Sequence, residues 1–278
     1  MLITRIISAL VMLLVVLVAL FQFPTWGWAL FTAGISLVAI WEWSRFCGLT
    51  PNATRAYLFL TVLLIGVVFV LQLGGHQAAL RALAKIAFAI AAVFWLLIVP
   101  LWLSRLWRVK SASLMAFVGW VVVLPMWLAM LALREVSPWV LLSFAAIAWV
   151  ADIAAYVFGK TLGKHKLAPD ISPGKTIEGA MGGIVGVALY FYLWFHHAAV
   201  GQGWARDLAT GGAWLFGFFM LVALVSIIGD LFESWMKRGV GLKDSSKLLP
   251  GHGGVLDRID ALTSTLPLAA LYVLLTKA

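Results

Sequence analysis

Apolar residues run along this chain in long blocks rather than in alternation. Nine blocks approach the roughly 20 residues that a helix needs to cross a hydrocarbon layer. They lie at about 6–23, 27–44, 57–73, 86–103, 114–133, 139–158, 177–195, 212–229 and 259–275. Their length is that of helices, not of the short alternating strands of an outer-membrane barrel. The pattern predicts an all-α polytopic integral membrane protein with about nine transmembrane helices. The first block follows Arg5 with the polarity of a signal peptide; it lacks a clear cleavage site and eight more blocks follow, so it is expected to be retained. Polar residues are spread unevenly over the connections. Residues 1–140 hold only Glu42 and Glu135 as acids, whereas 150–260 hold the other nine. That shift divides the chain into N-terminal packing or lipid-contact helices (1–135) and a C-terminal catalytic transmembrane domain (136–278).

Composition sharpens the class. The 278 residues are 64% hydrophobic and 11% charged, against about 45–50% and about 25% in soluble domains. A cytosolic enzyme, a secreted disulfide scaffold and a disordered chain are excluded together, and the single Cys47 cannot form an internal disulfide. The net charge of +9 is read first as topology. With nine spans, 15 of the 20 Lys and Arg fall on the side of Arg5, and only Arg81, Lys85, Arg134, Arg206 and Lys277 fall on the other. The positive-inside rule then makes the N-terminus cytoplasmic and the C-terminus external. Several tryptophans, among them Trp26, Trp102, Trp139 and Trp214, fall near span ends as interfacial anchors do.

The chemistry concentrates late. Gly229-Asp230-Leu-Phe-Glu233-Ser234 leads into Lys237-Arg238, Lys243-Asp244, Pro250-Gly-His252-Gly253-Gly254 and Asp257-Arg258-Ile-Asp260. Asp230, Glu233, Ser234 and Lys237 share one helical face at i, i+3, i+4 and i+7, and Asp257 and Asp260 share another. Carboxylates gathered at two helix ends suit a hard divalent cation whose shell is completed by phosphates. Neighbouring Lys and Arg suit phosphate oxygens. The Gly-rich turn could offer backbone N–H groups to an anion. Ionisable residues at span ends facing a bundle are costly and are read as functional. A second stretch places Asp152 inside a span, followed by Lys160, Lys164, Lys166, Ser172 and Lys175 in one loop. That lysine cluster could hold a lipid phosphate or a triphosphate.

The run from Ser234 to Asp260 resembles, without a break, the C-terminal signature of the phosphatidate cytidylyltransferase (CDP-diacylglycerol synthase) family. Asp152–Glu178 is similar to another loop of that family. The chain differs mildly at Gly174, where a charged or polar residue is frequent, and at Ser245, where an aromatic is common. The resemblance implies a multi-pass protein of the bacterial inner membrane that makes CDP-diacylglycerol and pyrophosphate from phosphatidic acid and CTP, and that acts as a homodimer. It implies Mg2+, as one or two divalent ions with room for a monovalent ion. Asp230, Asp257 and Asp260 would bind metal. Lys237, Asp257, Asp230 and Ser234 would be catalytic. Lys160, Lys164, Lys175, Ser172, Arg238, Lys243, Asp244, His252, Gly253, Gly254 and Arg258 would bind substrate or nucleotide phosphates. No nucleic acid is expected as a partner.

Other patterns carry less. Gly174-Lys175-Thr176 lacks the earlier glycine of a P-loop, since Pro169 stands there. His196-His197 are adjacent and diverge on a helix. Gly179, Gly182, Gly183 and Gly186 have the small-residue spacing of close helix packing. An anion or lipid transporter would place its acids near the midplane in paired repeats, and no repeat is visible. A related CTP-dependent enzyme acting on another lipid phosphate or a lipid alcohol is the nearest alternative.

Overall fold

In a computed structural model, which describes residues 2–200 and 203–276, the chain is a bundle of long helices with one small hairpin. Lys277 and the side chain of Arg5 lie outside the described residues. The helices are α1 (Leu2–Gln22), α2 (Thr25–Ser44), α3 (Pro51–Leu73), α4 (Gln77–Val93), α5 (Val99–Ser104), α6 (Ala112–Val136) and α7 (Pro138–Leu162), then α8 (Ile177–Val200), α9 (Trp204–Ala209), α10 (Gly212–Gly239) and α11 (Leu256–Thr276). Helices stand over all nine apolar blocks. By length and composition, seven stretches among the described residues can cross a membrane: α3, the continuous α4–α5 stretch Gln77–Ser104, α6, α7, α8, α10 and α11. Helix α1 contributes a shorter apolar stretch, Ile7–Gln22. Seven of the nine expected spans therefore meet this criterion among the described residues. Helix α2 misses it because Thr32, Ser36, Glu42 and Ser44 interrupt its apolar run, and all four are buried against protein.

Local sequence sets the ends. Thr50 and Ser111 accept hydrogen bonds from Ala53 N (3.3 Å) and Leu114 N (3.3 Å), capping α3 and α6. Pro51 and Pro138 stand in the first turns of α3 and α7, where a missing N–H costs nothing. A π turn, Phe94–Ile98, joins α4 to α5 just before Pro100, which cannot donate to the carbonyl one turn back.

Tryptophan and tyrosine donors tie α2 and α3 to α6. Trp43 Nε1 donates to Met115 O (2.7 Å), and Tyr57 OH donates to Ala116 O (2.7 Å). Helices α7 and α8 cross at their glycines, as the small-residue spacing predicted. A Cβ on Gly183 would lie 3.0 Å from Ala151 O, and one on Gly179 would lie 3.2 Å from Gly159 Cα. On α10, Phe232 is held among Trp43, Phe94, Trp95 and Trp102 at centroid distances of 5.5–6.2 Å. That socket grips the side of α10 opposite Asp230, so the acidic face is turned toward α11. Helix α11 packs on α6 and α4 as well as on α10 and α7, so the two halves of the chain share one core.

Candidate active site

The lysine-rich loop after α7 folds into an antiparallel hairpin of β1 (Lys166–Ala168) and β2 (Ser172–Thr176), with Lys166 opposite Thr176 and Ala168 opposite Ser172. Glu178, in the first turn of α8, anchors it by accepting from Lys164 N (3.0 Å) and His165 N (3.2 Å). The hairpin aims Lys175 at the bundle, where its Nζ lies 2.6 Å from Asp230 Oδ2.

Asp230 stands nine residues from the end of α10, roughly 14 Å below the helix terminus. It is brought against α11 by a close approach: a Cβ on Gly229 would lie 2.5 Å from Ser264 Oγ and 3.2 Å from Asp260 O. The predicted helical face forms as expected. Ser234 Oγ lies 3.4 Å from Asp230 Oδ1, and Lys237 Nζ lies 2.6 Å from Glu233 Oε2. The same ammonium lies 2.6 Å from Asp257 Oδ1, so it joins α10 to the first turn of α11. Asp152 and Asp260 complete the group: Asp152 lies within Coulombic reach of Asp230, Lys175 and Arg258, and Asp260 within reach of Asp230, Asp152 and Lys237. Five carboxylates, Asp152, Asp230, Glu233, Asp257 and Asp260, thus lie in one neighbourhood with three cations, Lys175, Lys237 and Arg258, and Lys175 and Lys237 are in direct ion pairs. Glu233 Oε1 is buried with no hydrogen-bond partner among the described residues.

The Gly-rich turn offers a backbone N–H to a carboxylate of the same chain. Asp257 Oδ2 accepts from Gly254 N (2.7 Å), Ser245 N (2.9 Å) and Ser245 Oγ (2.9 Å). The Gly254 N–H is therefore committed to Asp257, and the turn supports a carboxylate of the same chain. Gly253, at φ +81°, lies so close that a Cβ there would stand 2.7 Å from Asp257 Oδ2. His252 Nδ1 lies 3.0 Å from Ser8 Oγ on α1.

Of the remaining sequence-predicted residues, Ser172 is half-buried on β2, and Lys160, Lys164, Arg238, Lys243, Asp244 and Arg258 are exposed. Lys160 Nζ lies 5.7 Å over the Tyr156 ring. Among the described residues, no three His, Cys, Asp or Glu side chains already stand at metal-ligating separations. Glu42 was missed as a site residue. It is fully buried and reaches from α2 to the start of α11. The signal for it was present, since an acid inside an apolar block is costly wherever it occurs.

Residues 3–276, nearly the whole chain, match the profile of the cytidylyltransferase family. The chain belongs to that family. It is 38% identical over 271 residues to the phosphatidate cytidylyltransferase of Pseudomonas aeruginosa, covering 96% of this chain and 94% of that one. It is 34% identical over 284 residues to that of Haemophilus influenzae, covering 95% of both. A similar enzyme of Brucella suis is 34% identical over 277 residues, covering 97% of this chain and 92% of its own. The similarity to these cytidylyltransferases therefore spans α2 as well as the late polar loops.

Proposed function

We propose that this enzyme transfers the cytidylyl group of CTP to phosphatidic acid, giving CDP-diacylglycerol and pyrophosphate. The observation that carries this reading is the placement of Lys175, paired with Asp230, and Lys237, held between Glu233 and Asp257, where α10 meets α11, in a chain of this family. A phosphatidate phosphate is anionic at neutral pH and already nucleophilic, so no strong base is needed. One of its oxygens attacks the α-phosphorus of CTP; the bond from that phosphorus to the bridging oxygen of the β-phosphate breaks, and pyrophosphate leaves in line. The work of the protein is positioning and charge neutralisation. Lys237 and Lys175 face the reacting phosphates, with Ser234 and Ser172 as hydroxyl donors. Arg238, Lys243, Arg258, Lys160 and Lys164 form a basic rim that draws in the triphosphate.

The donor set has the chemistry a hard divalent cation takes: oxygen ligands from carboxyl groups gathered where α10 meets α11. Asp230, Asp257 and Asp260 would hold Mg2+, as one ion or two, which when bound would neutralise charge on phosphate oxygens as a Lewis acid. In Asp257 the oxygen available for this is Oδ1, because Oδ2 is saturated by Ser245 and Gly254. Phosphate oxygens would then compete with the carboxylates for Lys237.

We place the site on the cytoplasmic face of a bacterial inner membrane, with the lipid entering sideways from the inner leaflet, and the enzyme as a homodimer. The test is purified protein in vesicles with labelled CTP, Mg2+ and phosphatidic acid. A lipid-soluble CDP product is expected, with none when a polyprenol or diacylglycerol replaces the phosphatidic acid. Label moving to the lipid alcohol instead would overturn the choice of acceptor.

A further inference from the structure

Glu42 lies on α2, in the half of the chain to which sequence assigned no chemistry, and is 0% exposed. Its Oε1 accepts from Ser246 Oγ (2.5 Å) and Val255 N (3.0 Å), and its Oε2 accepts from Leu256 N (2.6 Å). Ser245 Oγ stands 3.2 Å from Glu42 Oε2 and 2.9 Å from Asp257 Oδ2. A hydroxyl has one proton to give, so Ser245 links the two carboxylates through a single shared donor. Val255 and Leu256 open α11, whose first N–H groups lack partners within the helix. Glu42 thus caps α11 from another helix, with its charge at the positive end of the helix dipole.

Just past the end of α2, Arg45 donates to Ser245 O. Gly254 lies directly against this arrangement, and a Cβ there would collide with Glu42 Oε1 and Ser245 Oγ. Every group that holds Asp257 Oδ2 is therefore held in turn by Glu42 or adjoins it. Asp257 Oδ1 holds Lys237.

We infer that Glu42 is a positioning residue for nucleotidyl transfer: it fixes the 245–256 loop and the start of α11, and through them Asp257 and Lys237. The inference rests on the proposed function for its kinetic consequence, though not for its structural one. A residue that only stabilised the fold would lower the amount of folded enzyme and leave the turnover of each folded molecule unchanged. A residue that positions Asp257 lowers kcat in folded protein while CTP binding at the basic rim persists.

The test uses Glu42→Gln in the full chain in vesicles, with kcat and KM for CTP and amide hydrogen exchange over 244–257. Glutamine keeps the shape but turns one acceptor oxygen into a donor facing N–H or O–H groups. The kcat is expected to fall by about 10- to 100-fold, the range expected when a reacting group is misplaced by up to an ångström. The KM for CTP should stay within about twofold, and exchange over 244–257 should speed up, as expected for a loop that loses its anchors. Wild-type kcat with unchanged exchange in folded Glu42→Gln overturns the inference. Should that variant not fold, Ser246→Ala removes one donor while burying no new charge. It is expected to show a several-fold loss of kcat and faster exchange, and wild-type behaviour in both would equally overturn the inference. A wild-type protein that transfers no cytidylyl group would instead refute the proposed function, and the exchange comparison would still decide the role of Glu42.

Discussion

Lys237→Met is the most informative single change. It keeps the apolar stem and removes the ammonium that lies 2.6 Å from both Glu233 and Asp257. Those side chains are 4% and 5% exposed, so two carboxylates would face each other with no intervening charge. Removing one partner of a buried ion pair costs about 3–5 kcal/mol. At about 2–4 °C per kcal/mol for a chain of this size, the melting temperature should fall by roughly 10 °C. Asp257 keeps three hydrogen bonds from Ser245 and Gly254, whereas Glu233 Oε1 has no hydrogen-bond partner among the described residues even in the wild type. The penalty therefore falls mainly on Glu233, and adding Glu233→Gln to Lys237→Met should recover most of the stability. It should recover none of the activity, because the cation that faces the phosphates stays absent. Size-exclusion thermal unfolding in detergent reads the first quantity, and CTP turnover reads the second. A Lys237→Met protein as stable as wild type, or an active double variant, would refute the reasoning.

Asp230→Asn and Asp257→Asn, each shown to be folded, should lose nearly all CTP-dependent turnover; near-normal rates in both would remove them from the metal set. Lys175→Ala breaks a pair whose members are 26% and 27% exposed, so stability should change by no more than about 1 kcal/mol while turnover falls at least about tenfold. Gly254→Ala must displace Glu42 or Ser245 and should cost about 1–3 kcal/mol, whereas Gly217→Ala, with nothing within 4 Å of the added Cβ, should be neutral or slightly stabilising in thermal unfolding. Burial pushes the Cys47 thiol up to about 12, so near neutral pH it stays protonated; maleimide should label the native protein far more slowly than the denatured one.

The helices were legible because an apolar block of span length admits few alternatives in lipid. The face of α10 was legible because 230, 233, 234 and 237 are fixed together by helical pitch. What sequence could not give was which partner each group faces. The Gly253-Gly254 turn reads in sequence as an anion cradle, and that it also supports Asp257 is visible only from the Ser245 and Gly254 contacts. The hairpin at 166–176 was hidden because a lysine-rich loop lacks strand alternation. Glu42 stood out only as an acid inside an apolar block; its role was hidden by distance, because its partners lie more than 200 positions away and nothing local distinguishes an acid that caps a remote helix from one that sets topology.

The most direct measurement of the central claim is the fate of label in CTP carrying it at either the α- or the γ-phosphate, with Mg2+ and phosphatidic acid as acceptor. Attack at the α-phosphorus sends α label into a chloroform-soluble nucleotide lipid and γ label into aqueous pyrophosphate, in equal amounts and at equal rates. Gamma label in the lipid, or pyrophosphate released with no labelled lipid, would contradict it.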